Sequence, residues 1–234
     1  VSKSKFLKLM VAGTFAMSTA LAAVPSFAEE LEEDELVAEE EMIFEEEEEE
    51  EEEEIIIVPT FSDVGVDYFA FGAIEYLAGL GLLEGSNGKF NPKAPIKRSE
   101  IAKIIALDKG YKAPPSYVIK ARDITTKHWA YDYMAALERE KVLVGSDGLI
   151  RPNDNITRAE LAVLLNRAYN YAQPPRFYSF TDVRHSHWAY HSINKLATNG
   201  ITAQGGSAFN PNAQVTRAEF ALFLARTLDD RFKH

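Results

Sequence analysis

The chain has 234 residues, 46% of them hydrophobic, with a formal net charge of −11 and no cysteine. Without cysteine there is no disulfide framework and no thiolate metal site, so stability has to come from a hydrophobic core. The charge is segregated: residues 29–54 hold 19 of the 36 acids and no base, whereas the sequence beyond residue 58 carries 17 acids against 22 bases. That balance describes partners and solubility rather than fold.

Lys3, Lys5 and Lys8 precede an apolar stretch from Leu9 to Val24, which the small-x-small triplet Ser26-Phe27-Ala28 closes. The pattern predicts a secretory signal peptide over residues 1–28, cleaved after Ala28. As a membrane span the stretch is too short and too interrupted by Gly13, Thr14, Ser18 and Thr19. No membrane contact is expected after cleavage. Residues 29–58 read as an acidic leader that includes the run Glu45 to Glu54. Like charges at i,i+4 oppose a helix, which predicts a solvated spacer extended by self-repulsion. A calcium-buffering tract or a lure for a basic partner is the alternative. Buriable sequence returns at "IIIV", residues 55 to 58, and the folded region begins at Pro59 and Phe61.

Three copies of one unit follow, over residues 59–112, 117–172 and 177–234, with Pro-rich connectors "KAPPS" and "AQPPR" between them. Asp63, Asp123 and Asp182 stand at offsets of 60 and 59, and the same offsets relate four further sets of landmarks. These are Phe69, Trp129 and Trp188; Pro92, Pro152 and Pro211; Arg98, Arg158 and Arg217; and Glu100, Glu160 and Glu219. Each copy has two helical patterns. In the second copy Trp129, Tyr133, Ala136 and Leu137 make one apolar stripe. Breakers at Gly145, Gly148 and Pro152 separate it from a second helix that presents Leu161, Leu164, Leu165 and Ala168. Ile101, Ile104 and Ile105, and Phe220, Phe223 and Leu224, keep the same register.

One such helix cannot bury its stripe alone. The expected fold is all-α: a pseudo-threefold trefoil of helix-loop-helix copies around a central three-helix bundle. The rival is a solenoid in which each copy touches only its neighbour. The second helices open with "ITRAE" and "VTRAE", in which Thr157 with Glu160 and Thr216 with Glu219 form the S/T-x-x-E capping box. Lys97 replaces the capping threonine in "IKRSE" and cannot accept the cap bond. All three helices place arginine at the first position, where the helix dipole disfavours a cation.

The segments "FSDV", "YFAFGAIEYLAGLGLLEG" and "FNPKAPIKRSE", then "RDIT", "HWAYDYMAALEREKVLVG" and "IRPNDNITRAE", then "FTDV", "HWAYHSINKLATNGI" and "FNPNAQVTRAE" resemble the S-layer homology family. The resemblance runs from residue 61 to about residue 228. It implies a pseudo-trimeric helical fold and non-covalent attachment of exported proteins to the bacterial cell wall. The implied ligand is a secondary cell-wall polysaccharide bearing ketal-linked pyruvate, bound in grooves between copies. The implied site residues are Arg98, Arg158 and Arg217, Asp63, Asp123 and Asp182, and Phe69, Trp129 and Trp188. Phe69 lacks the indole donor, and Asp123 sits in a looser motif with Ala121 and Ile124 around it.

The chemistry suits those residue types. A carboxylate is matched by the planar arginine fork and by helix N-terminal amides. A pyranose offers a face to an aromatic ring, and its hydroxyls need acceptors. Lys97 adds a cation at one helix mouth, and Gly85 and Gly145 mark the loops beside the site. The expected groove joins Arg158 and Gly145 to Trp188 and Asp182 of the following copy. Each residue type also has a structural reading: arginine paired with the F-x-D-V aspartate, tryptophan as core filling, and aspartate as an N-cap for the H-W-A helix.

Other constellations carry less. His187 and His191 lie at i,i+4 with His185 nearby, and His128 aligns with His187, but no third ligand completes a zinc set. "SDGLIRPNDN" lacks the spacing of a calcium loop. No nucleophile motif or carboxylate pair suited to hydrolysis appears, so no catalysis and no cofactor are expected. The expected partners are a cell-wall polysaccharide or peptidoglycan-linked polymer and, as a further class, other S-layer proteins, not nucleic acid. The alternative function is a surface module that self-assembles or binds a protein or peptidoglycan directly.

Overall fold

The computed structural model describes residues 58–202 and 205–233. The expected signal peptide, and the acidic leader through residue 57, lie outside them. The described residues are all-α, with six helices, one terminal 3-10 turn (Asp230–Phe232) and no strand. Each copy supplies a short and a long helix: α1 (Phe71–Gly79) and α2 (Arg98–Lys109), α3 (Tyr131–Arg139) and α4 (Arg158–Tyr169), and α5 (Tyr190–Thr198) and α6 (Arg217–Leu228). No helix among the described residues is long and apolar enough to cross a membrane.

Local sequence accounts for the helix starts. Thr157 Oγ1 accepts from Glu160 N (3.3 Å), and Glu160 Oε2 accepts from Thr157 N (2.9 Å), so the box closes as the sequence predicts. Thr216 and Glu219 repeat it at 3.2 and 2.8 Å. At Lys97 only the reciprocal half remains, Lys97 N to Glu100 Oε2 at 2.9 Å. In the first two copies the loop between helices is a tight hairpin. Asn87-Gly88 and Asp147-Gly148 all take positive φ, and bridges Ser86–Lys89 and Ser146–Leu149 close the turns, the behaviour of Asn-Gly and Asp-Gly pairs.

The first helices bury Ala73, Ile74 and Leu77, Met134 to Leu137, and Ile193 with Leu196 and Ala197. Trp129, read from the sequence as the head of this stripe, is instead exposed, because it precedes the first turn of α3. The extensive helix contacts join α2 to α3, α4 to α5 and α6 to α1. They therefore pass from the first copy to the second, to the third and back to the first. In an open stack the first and last copies do not touch; here they do.

The second helices, expected to bundle centrally, meet one another at a ring of three backbone hydrogen bonds just before their first turns. Ile96 N donates to Val215 O (2.9 Å), Val215 N to Ile156 O (3.0 Å), and Ile156 N to Ile96 O (3.2 Å). All three residues are buried, which satisfies their amides away from water.

Candidate functional site: the arginine junctions and an aromatic-edged cleft

The arginines at the helix mouths reach into the next copy. Arg98 Nε donates to Ile150 O (2.8 Å), Arg158 Nε to Phe209 O (2.7 Å) and Arg217 Nε to Phe90 O (2.8 Å). Each Nη1 meets the T-R-A-E-type glutamate of that next copy: Glu160 at 3.3 Å, Glu219 at 3.2 Å and Glu100 at 2.8 Å. Arg158 also lies over the rings of Phe209 and Phe223, and Arg217 over Phe90. The cation at the wrong end of the helix thus finds a carboxylate and a carbonyl that outweigh the dipole term of a few tenths of a kcal/mol. The structural partner is this glutamate, not the F-x-D-V aspartate. Burial, above all, pushes the Arg98 guanidinium below the ordinary arginine value; Glu160 opposes the shift and Arg151 adds to it. Arg158 is lowered likewise, mainly by burial.

The helix-mouth amides are already engaged. Arg98 N donates to Asp154 O and Ser99 N to Pro152 O; Arg158 N and Ala159 N donate to Ala213 O and Pro211 O; Arg217 N and Ala218 N donate to Ala94 O and Pro92 O. The third amide of α4 and of α6 is taken by its capping threonine. An anion arriving here meets side chains rather than a free set of helix amides.

The aspartates hold the loop that these arginines touch. Asp63 accepts from Phe90 N (2.7 Å) and Asn91 N (2.8 Å), Asp123 from Ile150 N (3.0 Å) and Arg151 N (2.7 Å), and Asp182 from Phe209 N (2.8 Å) and Asn210 N (2.7 Å). Asn91, Arg151 and Asn210 all have positive φ, so each carboxylate clamps a left-handed residue and none caps the H-W-A helix. The looser motif around Asp123 leaves this clamp intact. Desolvation raises the Asp63 carboxyl, but the Phe90 and Asn91 amides outweigh it and hold the group below the ordinary value.

Histidine closes the turn that leads into each H-W-A helix. Ala130 N donates to His128 Nδ1 (3.1 Å) and Ala189 N to His187 Nδ1 (3.2 Å). The same imidazoles stack on Trp129 and Trp188. His191 stands edge-on to Phe177 and Tyr190, and no group of three metal-ligating side chains forms among the described residues. Phe69, Trp129 and Trp188 are 64%, 57% and 63% exposed, so they are not core filling.

One cleft of about 240 Å³ draws on all three copies: Arg98 from the first, Gly145, Arg151, Glu160 and Arg167 from the second, and Trp188 from the third. It contains the expected Gly145 and Trp188, but its motif arginine is Arg98 rather than Arg158, because each arginine serves the copy after its own. Asp182 is absent from the lining, its carboxylate turned to its own loop. Lys97, exposed at the mouth of α2, does not line it either. Gly145 and Gly85 have a packing reason to be glycine: a Cβ at Gly145 would collide with Leu149 O, and one at Gly85 would lie 2.5 Å from Lys89 O. Sequence reasoning missed Arg151, Glu160 and Arg167 as lining residues. For Arg151 a signal existed, since it breaks the asparagine register of Asn91 and Asn210.

A family model for the S-layer homology domain matches residues 60–102, 122–162 and 179–221. The chain belongs to the S-layer homology family. It is 30% identical over 176 residues to the S-layer protein sap of Bacillus anthracis, a match covering 72% of this chain and 21% of that protein. It is 33% identical over 176 residues to an uncharacterized cell wall amidase of the same species, covering 72% of this chain and 32% of that protein. A cellulosome-anchoring protein of Acetivibrio thermocellus is 37% identical over 89 residues, 35% of this chain and 20% of its own length. The chain therefore spans a fifth to a third of the length of these relatives.

Proposed function

We propose that this chain is an exported, non-catalytic anchoring module that holds its protein at the cell surface by binding a cell-wall polymer. The ligand in this reading is an anionic secondary polysaccharide bearing ketal-linked pyruvate, bound in grooves between copies. The observation that carries it is the cleft in which Arg98, the Gly145 loop and exposed Trp188 converge from three copies. Cation and ring lie at the edges of one concavity, which suits a carboxylate fixed on a pyranose. The names of the relatives, an S-layer protein and a cellulosome-anchoring protein, agree with a surface role. The amidase relative matches over a third of its length, and no catalytic role passes to this chain through that match.

A second reading has its own support: the motif arginines are already bonded across copies, as they would be in a purely structural or protein-binding module. Sedimentation of the full chain with purified cell walls, before and after the secondary polymer is stripped, separates the two. The anchoring reading expects binding to native walls that stripping abolishes and that a soluble pyruvate-ketal hexoside competes away. Undiminished binding to stripped walls would redirect the function to peptidoglycan or protein.

A further inference from the structure

The three arginine junctions are alike, but the surfaces around them are not. Around Arg217, Glu84 pairs with Lys103 at 2.7 Å and its carbonyl accepts Arg217 Nη2 at 2.8 Å. With Glu100 the charges there cancel. At the position matching Glu84 the second copy carries uncharged Val144, and at the position matching Asn91 and Asn210 it carries Arg151. At the position of Leu107 it carries Arg167. The third copy has Arg226 there, but that side chain is tied to Phe232 O and Ile201 O.

The cleft of Arg98 consequently holds three guanidinium groups against one carboxylate, Glu160. Neither Arg151 nor Arg167 makes an ion pair among the described residues. Arg151 is also kept at φ 51°, a region that costs a non-glycine residue about 1 kcal/mol or more. Asp123 clamps its amide at 2.7 Å, so the strain is borne at the lip of the cleft. Asp154 and Asp123 lie close enough to act on Arg98 but do not line the cleft, and the like charges in excess on its lining repel until an anion lies between them.

Resting on the anchoring reading above, we infer that, of the three grooves, the cleft of Arg98 and Trp188 is the anion-binding subsite. Arg151 and Arg167, which lie outside the T-R-A-E motif, are its specificity-determining residues for a carboxylate-bearing glycan. Arg98 is half-committed to Ile150 and Glu160 and supplies field and one donor edge. The two unpaired guanidinium groups supply the bidentate contacts. Trp188 supplies the ring face.

The test is sedimentation of the full chain with native cell walls, using Arg151→Asn, Arg167→Leu and, as an exposed arginine that does not line the cleft, Arg176→Ala. The first two install residues that the first copy itself carries, and thermal melts check that all variants fold. Each cleft-arginine variant is expected to weaken wall binding about tenfold or more, the scale of a lost charged hydrogen bond. Each is also expected to flatten the salt dependence, while Arg176→Ala stays within about twofold of the parent because its charge stands outside the cleft. Parent-like binding by both cleft-arginine variants, or an equal or larger loss in Arg176→Ala, overturns this assignment and leaves the anchoring reading intact. A parent chain that ignores native walls, or binds stripped walls equally, removes both.

Discussion

Ser99 carries a hydroxyl where the other copies carry the methyl groups of Ala159 and Ala218. It is fully buried, and its Oγ has no hydrogen-bond partner. An unsatisfied buried hydroxyl costs about 1–3 kcal/mol, and alanine is the better helix former. Ser99→Ala is therefore expected to stabilise the chain by about 1 kcal/mol, read as a higher denaturant midpoint at unchanged slope. A lower midpoint would mean that the hydroxyl is satisfied after all. At this scale the sequence was informative where a residue's partner is local. The Thr157–Glu160 box spans three positions and formed as spelled. Trp129 and Trp188 were ambiguous because an apolar ring heading a stripe reads the same whether it turns inward or outward. Their exposure follows from their place ahead of the first turn, where Phe69 is equally exposed with no histidine before it.

At the scale of elements, the second helices start well only because another copy is present. The first two amides of α4 bond to Ala213 and Pro211, and its Arg158 crosses to Phe209 and Glu219. Removing that guanidinium strips a carbonyl and a half-buried carboxylate of their partner. Arg158→Ala is expected to cost about 3 kcal/mol, within the range for breaking a largely buried ion pair. A double-mutant cycle with Glu219→Ala is expected to show a coupling of about 1 kcal/mol. Melting like the parent's would free Arg158 from its structural role and leave it available to a ligand. The contact spans 61 residues of sequence, which is why the motif identifies the arginine but not the acid it pairs with. Three equally spaced aspartates and three equally spaced glutamates offer the same periodicity, and only the chain path selects between them.

For the whole molecule, the circuit of contacts from α2 to α3, α4 to α5 and α6 to α1 has no free end at which a copy could be trimmed. A peptide of residues 117–172 keeps both of its helices in sequence but loses the carbonyls that receive its helix-mouth amides and the surface against which α4 packs. It is expected to be largely unfolded, with no cooperative melt by circular dichroism, since short helices are marginal without tertiary packing. A cooperative transition in that fragment would mean that each copy is an independent domain.

The sequence by itself determined the all-α class, the threefold copying and the second-helix starts, because periodicity and capping are properties of neighbours along the chain. It also singled out the residues that matter, through their repetition in register. Only the tertiary structure decided what those residues do for one another. The aspartates became clamps on left-handed turns, and the arginines became bolts into the following copy. The cleft acquired Arg98 in place of Arg158, together with Arg151 and Arg167, which no repeated motif flags. These outcomes depend on which copy follows which around a closed circuit, and on one loop carrying arginine where its counterparts carry asparagine. The arginine is legible as a break in register, but local spacing holds no record of the circuit, or of what that arginine faces, until distant segments are brought within hydrogen-bond reach.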